Sequence, residues 1–149
     1  MRLEIPFYKQ TSKLNCGPTA LKMVLSYFGK NFDIKILEKK VGIKKGKGVF
    51  TIQIATASAL LGYKTEFFTK SLGFNPEYLK MDFYKKYIDS EATQSNIFVK
   101  KALEAGVQIK EKTLSLEKIL SFVSKESIPI VLLDWNIIKN QKEKGYQGH

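Results

Sequence analysis

Three residues have the types and the order that covalent acyl chemistry uses. Cys16 is the only cysteine and His149 the only histidine of the 149 residues, and Gln10 precedes Cys16 by six positions. A thiolate is a strong nucleophile, and an imidazole is the side chain that takes its proton near neutral pH. The amide of Gln10 and the backbone N–H of Cys16 can both donate to a carbonyl oxygen as it becomes an oxyanion. Each residue also has a plainer reading. A lone cysteine is commonly a small buried hydrophobe, and a terminal histidine is commonly a frayed end or part of a tag. Gly-Tyr-Gln-Gly rather than a histidine run precedes His149, which argues against a tag. One Cys and one His exclude an intramolecular disulfide and a structural zinc site, so no metal or cofactor is expected.

The elements around these residues follow from period and punctuation. Leu3 to Tyr8 alternates and carries Pro6, which suits a short edge strand or an extended arm. From Gly17 to Gly29 the period becomes helical, with Ala20, Met23, Val24, Tyr27 and Phe28 on one face and Leu21 and Leu25 widening it. Pro18 fits the first turn, where its missing N–H costs little, so the helix begins just after Cys16. A helix N-terminus should lower the pKa of that thiol. Asp33 is positioned to cap a second helix, Ile34 to Val41, that stops at Gly42. A third, small-residue-rich helix is expected over Thr51 to Leu61, ended by Gly62.

Further along, Tyr63 to Thr69 reads as a strand, Asn75 to Ile88 as a helix opened by Pro76, and Thr93 to Ala105 as another helix. Val107 to Lys112 alternates like a half-buried strand, and Ser115 caps a helix carrying Leu116, Ile119, Leu120 and Val123 on one face. The run Pro129 to Trp135 is the strongest strand signal, apolar on both faces and therefore expected to be central. Asn140 to Gly148 is polar and aperiodic. Helices first and strands later point to one α+β domain over residues 1–149. The Gly42 to Gly48 loop lacks the spacing of a phosphate-binding loop and reads as a solvated turn. The aromatics between Phe67 and Tyr87 read as core or as a cleft wall rather than as base-stacking residues.

The segment IPFYKQTSKLNCGPTALKMVLSYFG, Ile5 to Gly29, resembles the N-terminal signature of the double-glycine-leader (bacteriocin-processing) cysteine peptidases and their papain-like relatives. Gly48 to Tyr63 resembles that family's second helix, Leu114 to Trp135 its last helix and Pro-initiated strand, and Gly148-His149 the start of its histidine strand. Lys70 to Lys110 carries no matching motif. The resemblance implies a papain-like fold, with N-terminal helices packed on an antiparallel sheet. It implies Cys16 as nucleophile, His149 as general base and acid, and Gln10 as oxyanion donor. The implied reaction is peptide hydrolysis through a thioester, on a peptide or protein substrate. A catalytically incomplete peptide-binding module of the same fold is the alternative.

In such relatives an Asp or Asn downstream of the histidine orients it, and here the sequence stops at the histidine. The expectation is a domain cut before its last strands, possessing an incomplete and inactive site. Asp134 and Asn136 are the nearest stand-ins for the orienting residue, although residues of these types at a strand end ordinarily cap a loop. Substrate-binding residues are not identified.

Composition narrows the remaining classes. The formal charge is +11, from 25 basic and 14 acidic residues, which favours anionic partners through long-range steering. Arg2 is the only arginine, whereas base readout and bidentate phosphate clamping lean on arginine forks, so a nucleic-acid role is disfavoured. The N-terminus has no secretory h-region and no run approaches a membrane span, so a cytoplasmic location is the default. A membrane-exporter fusion in a longer parent remains compatible with the resemblance.

Overall fold

A computed structural model describes residues 2–73, 75–88 and 94–149. Three helices come first: α1 (Cys16–Tyr27), α2 (Ile34–Val41) and α3 (Thr51–Leu60). Their boundaries follow the local signals. Pro18 lies in the first turn of α1, and the Asp33 carboxylate accepts from the Lys35 N–H at 2.8 Å to start α2. Gly42 closes α2 at φ 81°, a left-handed conformation that would strain any side chain with a Cβ.

Packing explains why α3 has no single apolar stripe. One side contributes Ile54 and Ala57 to a core with Leu21 and Leu25 of α1 and Leu37 and Val41 of α2. The other contributes Ile52 and Ala55 to a second core with Phe98, Ala102 and Val107. The helix is therefore buried from two directions, and its alanines let both neighbours approach.

The second core is completed by β1 (Glu66–Thr69), α5 (Ser95–Glu104) and β2 (Gln108–Glu111). Between β1 and α5 lie a 3-10 turn (Pro76–Lys80) and α4 (Asp82–Tyr87), so the helix expected over Asn75 to Ile88 is broken at Met81, whose ψ of 128° is extended. Thr93, the expected start of the next helix, lies outside the described residues. Strands β1 and β2 pair in parallel, Glu66 with Gln108 through Thr69 with Glu111. The resemblance implies an antiparallel sheet, and this pair differs from it. The long connection through α4 and α5 returns the chain to the same end of the pair, which imposes the parallel sense.

The C-terminal third departs furthest from its sequence signals. Short helices α6 (Leu116–Ser121) and α7 (Trp135–Ile138) and a 3-10 turn (Lys142–Lys144) are joined by irregular chain. Ser115 caps α6 as expected, but Leu116 and Leu120 face solvent. Pro129 to Trp135 is not a central strand: Ile130 to Leu133 are between 38% and 52% exposed. Among the described residues no strand flanks this run, and its backbone pairing is confined to one antiparallel bridge, Asp134 with Gly148. The Leu3 to Tyr8 segment forms an irregular arm with Phe7 exposed. No described helix is long and apolar enough to cross a membrane.

Candidate functional site

The site at the start of α1 is held by a residue that spacing did not single out. Asn15 is 0% exposed. Its Oδ1 accepts from the Ser12 N–H at 3.1 Å, and its Nδ2 donates to Thr11 Oγ1 and to Glu38 Oε1 of α2, each at 2.8 Å. The loop carrying Gln10 to Cys16 is thus tied to α2 through one buried amide. Asn15 occupies the N-cap position of α1 but makes no side-chain bond to its own helix.

Cys16 is half-buried at the first position of α1. Burial pushes its thiol above the ordinary pKa, and the N–H groups of Gly17 and of Cys16 itself pull it back by less. Desolvation outweighs the helix terminus here, reversing the direction expected from the sequence. Cys16 is therefore a protonated thiol at neutral pH. Iodoacetamide at pH 7.5 should alkylate it at least about threefold more slowly than a free thiol, with the difference shrinking as pH rises above the free-thiol range. Faster alkylation than a free thiol at pH 6 would show a stabilised thiolate instead.

The other sequence-selected residues lie elsewhere in the contact network. Gln10 Nε2 donates to the Ser12 carbonyl at 2.8 Å, a local bond within its own loop. His149 stacks obliquely on Trp135, with ring centroids 4.5 Å apart, and exchanges both backbone hydrogen bonds with Leu133, at 2.8 and 2.9 Å. The Asp134 carboxylate accepts from the backbone N–H groups of Asn136, at 3.0 Å, and Gln147, at 3.3 Å. Asp134 is thus a helix cap and loop tie. Asn136 is buried and donates to the Gly145 carbonyl at 2.8 Å. Among the described residues no hydrogen bond or ring contact joins Cys16 or Gln10 to His149, and none of Asp134's bonds reaches the imidazole.

Tyrosines gather beside this C-terminal bridge. Tyr84 stacks on Tyr146, centroids 5.5 Å apart and planes 10° from parallel, and on Tyr78 at 5.3 Å. Burial raises the Tyr84 pKa strongly, and its hydrogen bond with Tyr146 raises it further; burial likewise raises Tyr146, with Asp134 adding to the effect. Both are neutral phenols across the physiological range. The aromatics of α4 were legible as packing residues, but Tyr146, within a polar and aperiodic stretch, was not.

Two cavities flank the three-helix unit. One of about 100 Å³ lies among Phe50, Phe67, Phe98, Thr69, Ser71 and Ser95. The other, of about 200 Å³, lies between the N-terminal arm, α1 and the start of α2, and is lined by Tyr8, Lys9, Thr11, Thr19, Lys22 and Ile34. Among the described residues no three His, Cys, Asp or Glu side chains gather as a metal cage would require.

The family model for guanylylate cyclase matches residues 5–147. A curated relative, guanylyl cyclase 1 of Arabidopsis thaliana, is 25% identical over 133 residues, which cover 89% of this chain and 48% of the relative. The chain therefore spans about half the length of that relative. No solved structure matches the chain. These matches overturn the assignment to the bacteriocin-processing peptidases, and with it the readings as a thiol protease or other hydrolase, a peptide-binding module or a nucleic-acid binder. The Cys-Gly-Pro helix start is a short motif, and the family match extends over nearly the whole chain.

Proposed function

Because the chain belongs to the guanylylate cyclase family, we propose that it binds guanosine triphosphate and takes part in closing it to the cyclic 3′,5′-monophosphate. The observation that carries this reading is the extent of the family match, which takes in all three N-terminal helices, both strands and both cavities. The Arabidopsis relative is named for the activity and is about twice as long, so the share of the chemistry that falls to this chain is part of the proposal.

In the reaction the ribose 3′ oxygen attacks the α-phosphorus, a new P–O bond forms, and the bond to the β-phosphate oxygen breaks. Pyrophosphate leaves, and the hydroxyl proton passes to a base or to solvent. What a protein supplies is orientation of the ribose and neutralisation of charge on the phosphates. A net charge of +11 suits a polyanionic substrate, because it raises the encounter rate with it. Lysines meet phosphates as point charges and do not need the arginine fork that base readout favours.

The test is direct. Purified protein incubated with GTP and magnesium or manganese should release cyclic GMP and pyrophosphate in equal amounts, measured by mass spectrometry and a pyrophosphatase-coupled phosphate assay. ATP should yield less cyclic product. Absence of cyclic GMP above a heat-inactivated control would refute the reading.

The fold is a second proposal. We propose that α1, α2 and α3 form the helical half of a papain-like architecture, supported by the Cys-Gly-Pro start of α1 and its packing on two further helices. An experimental structure showing an antiparallel sheet against α1 bears it out, and a parallel sheet in that place ends it.

A further inference from the structure

We propose that the cavity between the N-terminal arm and α1 is a polyphosphate site in which Lys9, Lys22, Thr11 and Thr19 hold the phosphate oxygens. Thr19 and Lys22 are three residues apart on α1 and share a face of it, and the arm brings Tyr8, Lys9 and Thr11 against that face. The lining contains two ammonium groups, three hydroxyls (those of Tyr8, Thr11 and Thr19) and no carboxylate.

The hydrogen bonding of these groups points to a ligand. Thr19 is 4% exposed, and its hydroxyl is buried with no hydrogen-bond partner. A buried hydroxyl left unpaired costs about 1–3 kcal/mol, so such groups are uncommon unless something pairs with them. Thr11 Oγ1 already accepts from Asn15 Nδ2, which leaves its own O–H to donate. Neither lysine forms an ion pair among the described residues, and Lys22 Nζ lies 4.6 Å from the centre of the Tyr8 ring, a weak hold compared with a phosphate. Two carboxylates stand beside the lining, and both are engaged: Asp33 accepts from the Lys35 N–H, and Glu38 Oε1 accepts from the same Asn15 Nδ2 that donates to Thr11. Every available polar group of the lining can thus donate a hydrogen bond, and two of them carry positive charge. The complementary ligand is an anion rich in acceptor oxygens, and 200 Å³ accommodates a diphosphate unit.

For the identity of the nucleotide that carries these phosphates the proposal rests on the cyclase reading, but the site itself is tested apart from turnover. Inorganic pyrophosphate, titrated calorimetrically into the protein at 0.15 M salt, should bind at one site and be displaced by GTP. Lys9→Ala/Lys22→Ala should weaken pyrophosphate binding at least about thirtyfold, and Thr19→Val about fivefold. Thr19→Val should at the same time raise Tm, because it removes an unpaired buried hydroxyl.

The exposed pair on α2, Lys39→Ala/Lys40→Ala, removes the same charge and should change affinity less than about threefold. Equal loss in both double variants would reduce the effect to net charge and overturn the site. So would a Thr19→Val protein that gains stability with no change in affinity. If Lys22→Ala does not fold, Lys9→Glu asks the same question from the N-terminal arm. Pyrophosphate binding that survives these tests without any cyclic GMP formation would uphold the site and reject the cyclase reading; cyclic GMP formation unaltered by the variants would do the reverse.

Discussion

Asn15→Ala should cost about 3 kcal/mol of stability, a fall in Tm on the order of 8 °C for a chain of this size. Glu38 Oε1, the Ser12 N–H and the Thr11 hydroxyl each lose a partner, and the first of these is a carboxylate. Thr11 and Ser12 are exposed and can turn to water, so the largest loss falls on the half-buried Glu38 carboxylate, at about 1–3 kcal/mol. The cavity left by the amide adds to the loss, because Asn15 is fully enclosed.

Two further variants separate the contributions. Glu38→Gln keeps an acceptor oxygen and should cost less than about 1 kcal/mol. Asn15→Asp places a second carboxylate against Glu38 and should be at least as damaging as alanine. A double-mutant cycle between Asn15→Ala and Glu38→Ala should show coupling of about 1 kcal/mol or more by urea denaturation. A loss below about 0.5 kcal/mol in Asn15→Ala would mean that the loop is held by other means. Thr11 belongs to this loop and Lys9 directly precedes it, so the variant should also weaken pyrophosphate binding without touching a lysine.

The amide of Asn15 shows where sequence reading ran out. The three N-terminal helices were legible because their causes are local: apolar period, Pro18 in a first turn, Asp33 as a cap, Gly42 as a stop. Asn15 stands where an asparagine ordinarily caps its own helix, and nothing local sends its side chain to a carboxylate 23 residues on. The cavity lining was hidden for the same reason, since Lys9, Lys22 and Ile34 come from three separate segments.

Pro129 to Leu133 failed differently. Its composition is that of a buried strand, but burial is decided by what packs on it, and only the Leu133 to Trp135 end finds a partner in Gln147 to His149. The Cys16 thiol inverted a local rule. Helix N–H groups do face it, as position predicts, but the burial that accompanies them costs the charged form more. A motif of three residue types therefore suggested chemistry that neither the contact network of the site nor the family match supports.

Gly17→Ala is expected to destabilise the protein by about 1–2 kcal/mol, against the usual sign for a glycine in a helix. Helix propensity alone would favour alanine by up to about 1 kcal/mol, and less in a first turn. The opposing effect is steric. A Cβ at position 17 would lie 2.5 Å from Ile54 Cδ1 and 3.3 Å from Ile54 Cγ1, with Val49 Cγ2 at 3.5 Å. Ile54 is buried in the core shared by α1, α2 and α3, so it has little room to withdraw, and overpacking of this kind costs about 1–3 kcal/mol.

Ile54→Val removes the Cδ1 methyl that would clash; alone it should cost about 0.5–1.5 kcal/mol. Combined with Gly17→Ala it should cost less than the sum of the two by about 1 kcal/mol, a coupling that independent sites do not show. If Gly17→Ala is neutral or stabilising in chemical denaturation, α1 can shift on α3 without loss. The Gly17 N–H would then move relative to the thiol it faces, and the pH at which Cys16 becomes reactive would move with it.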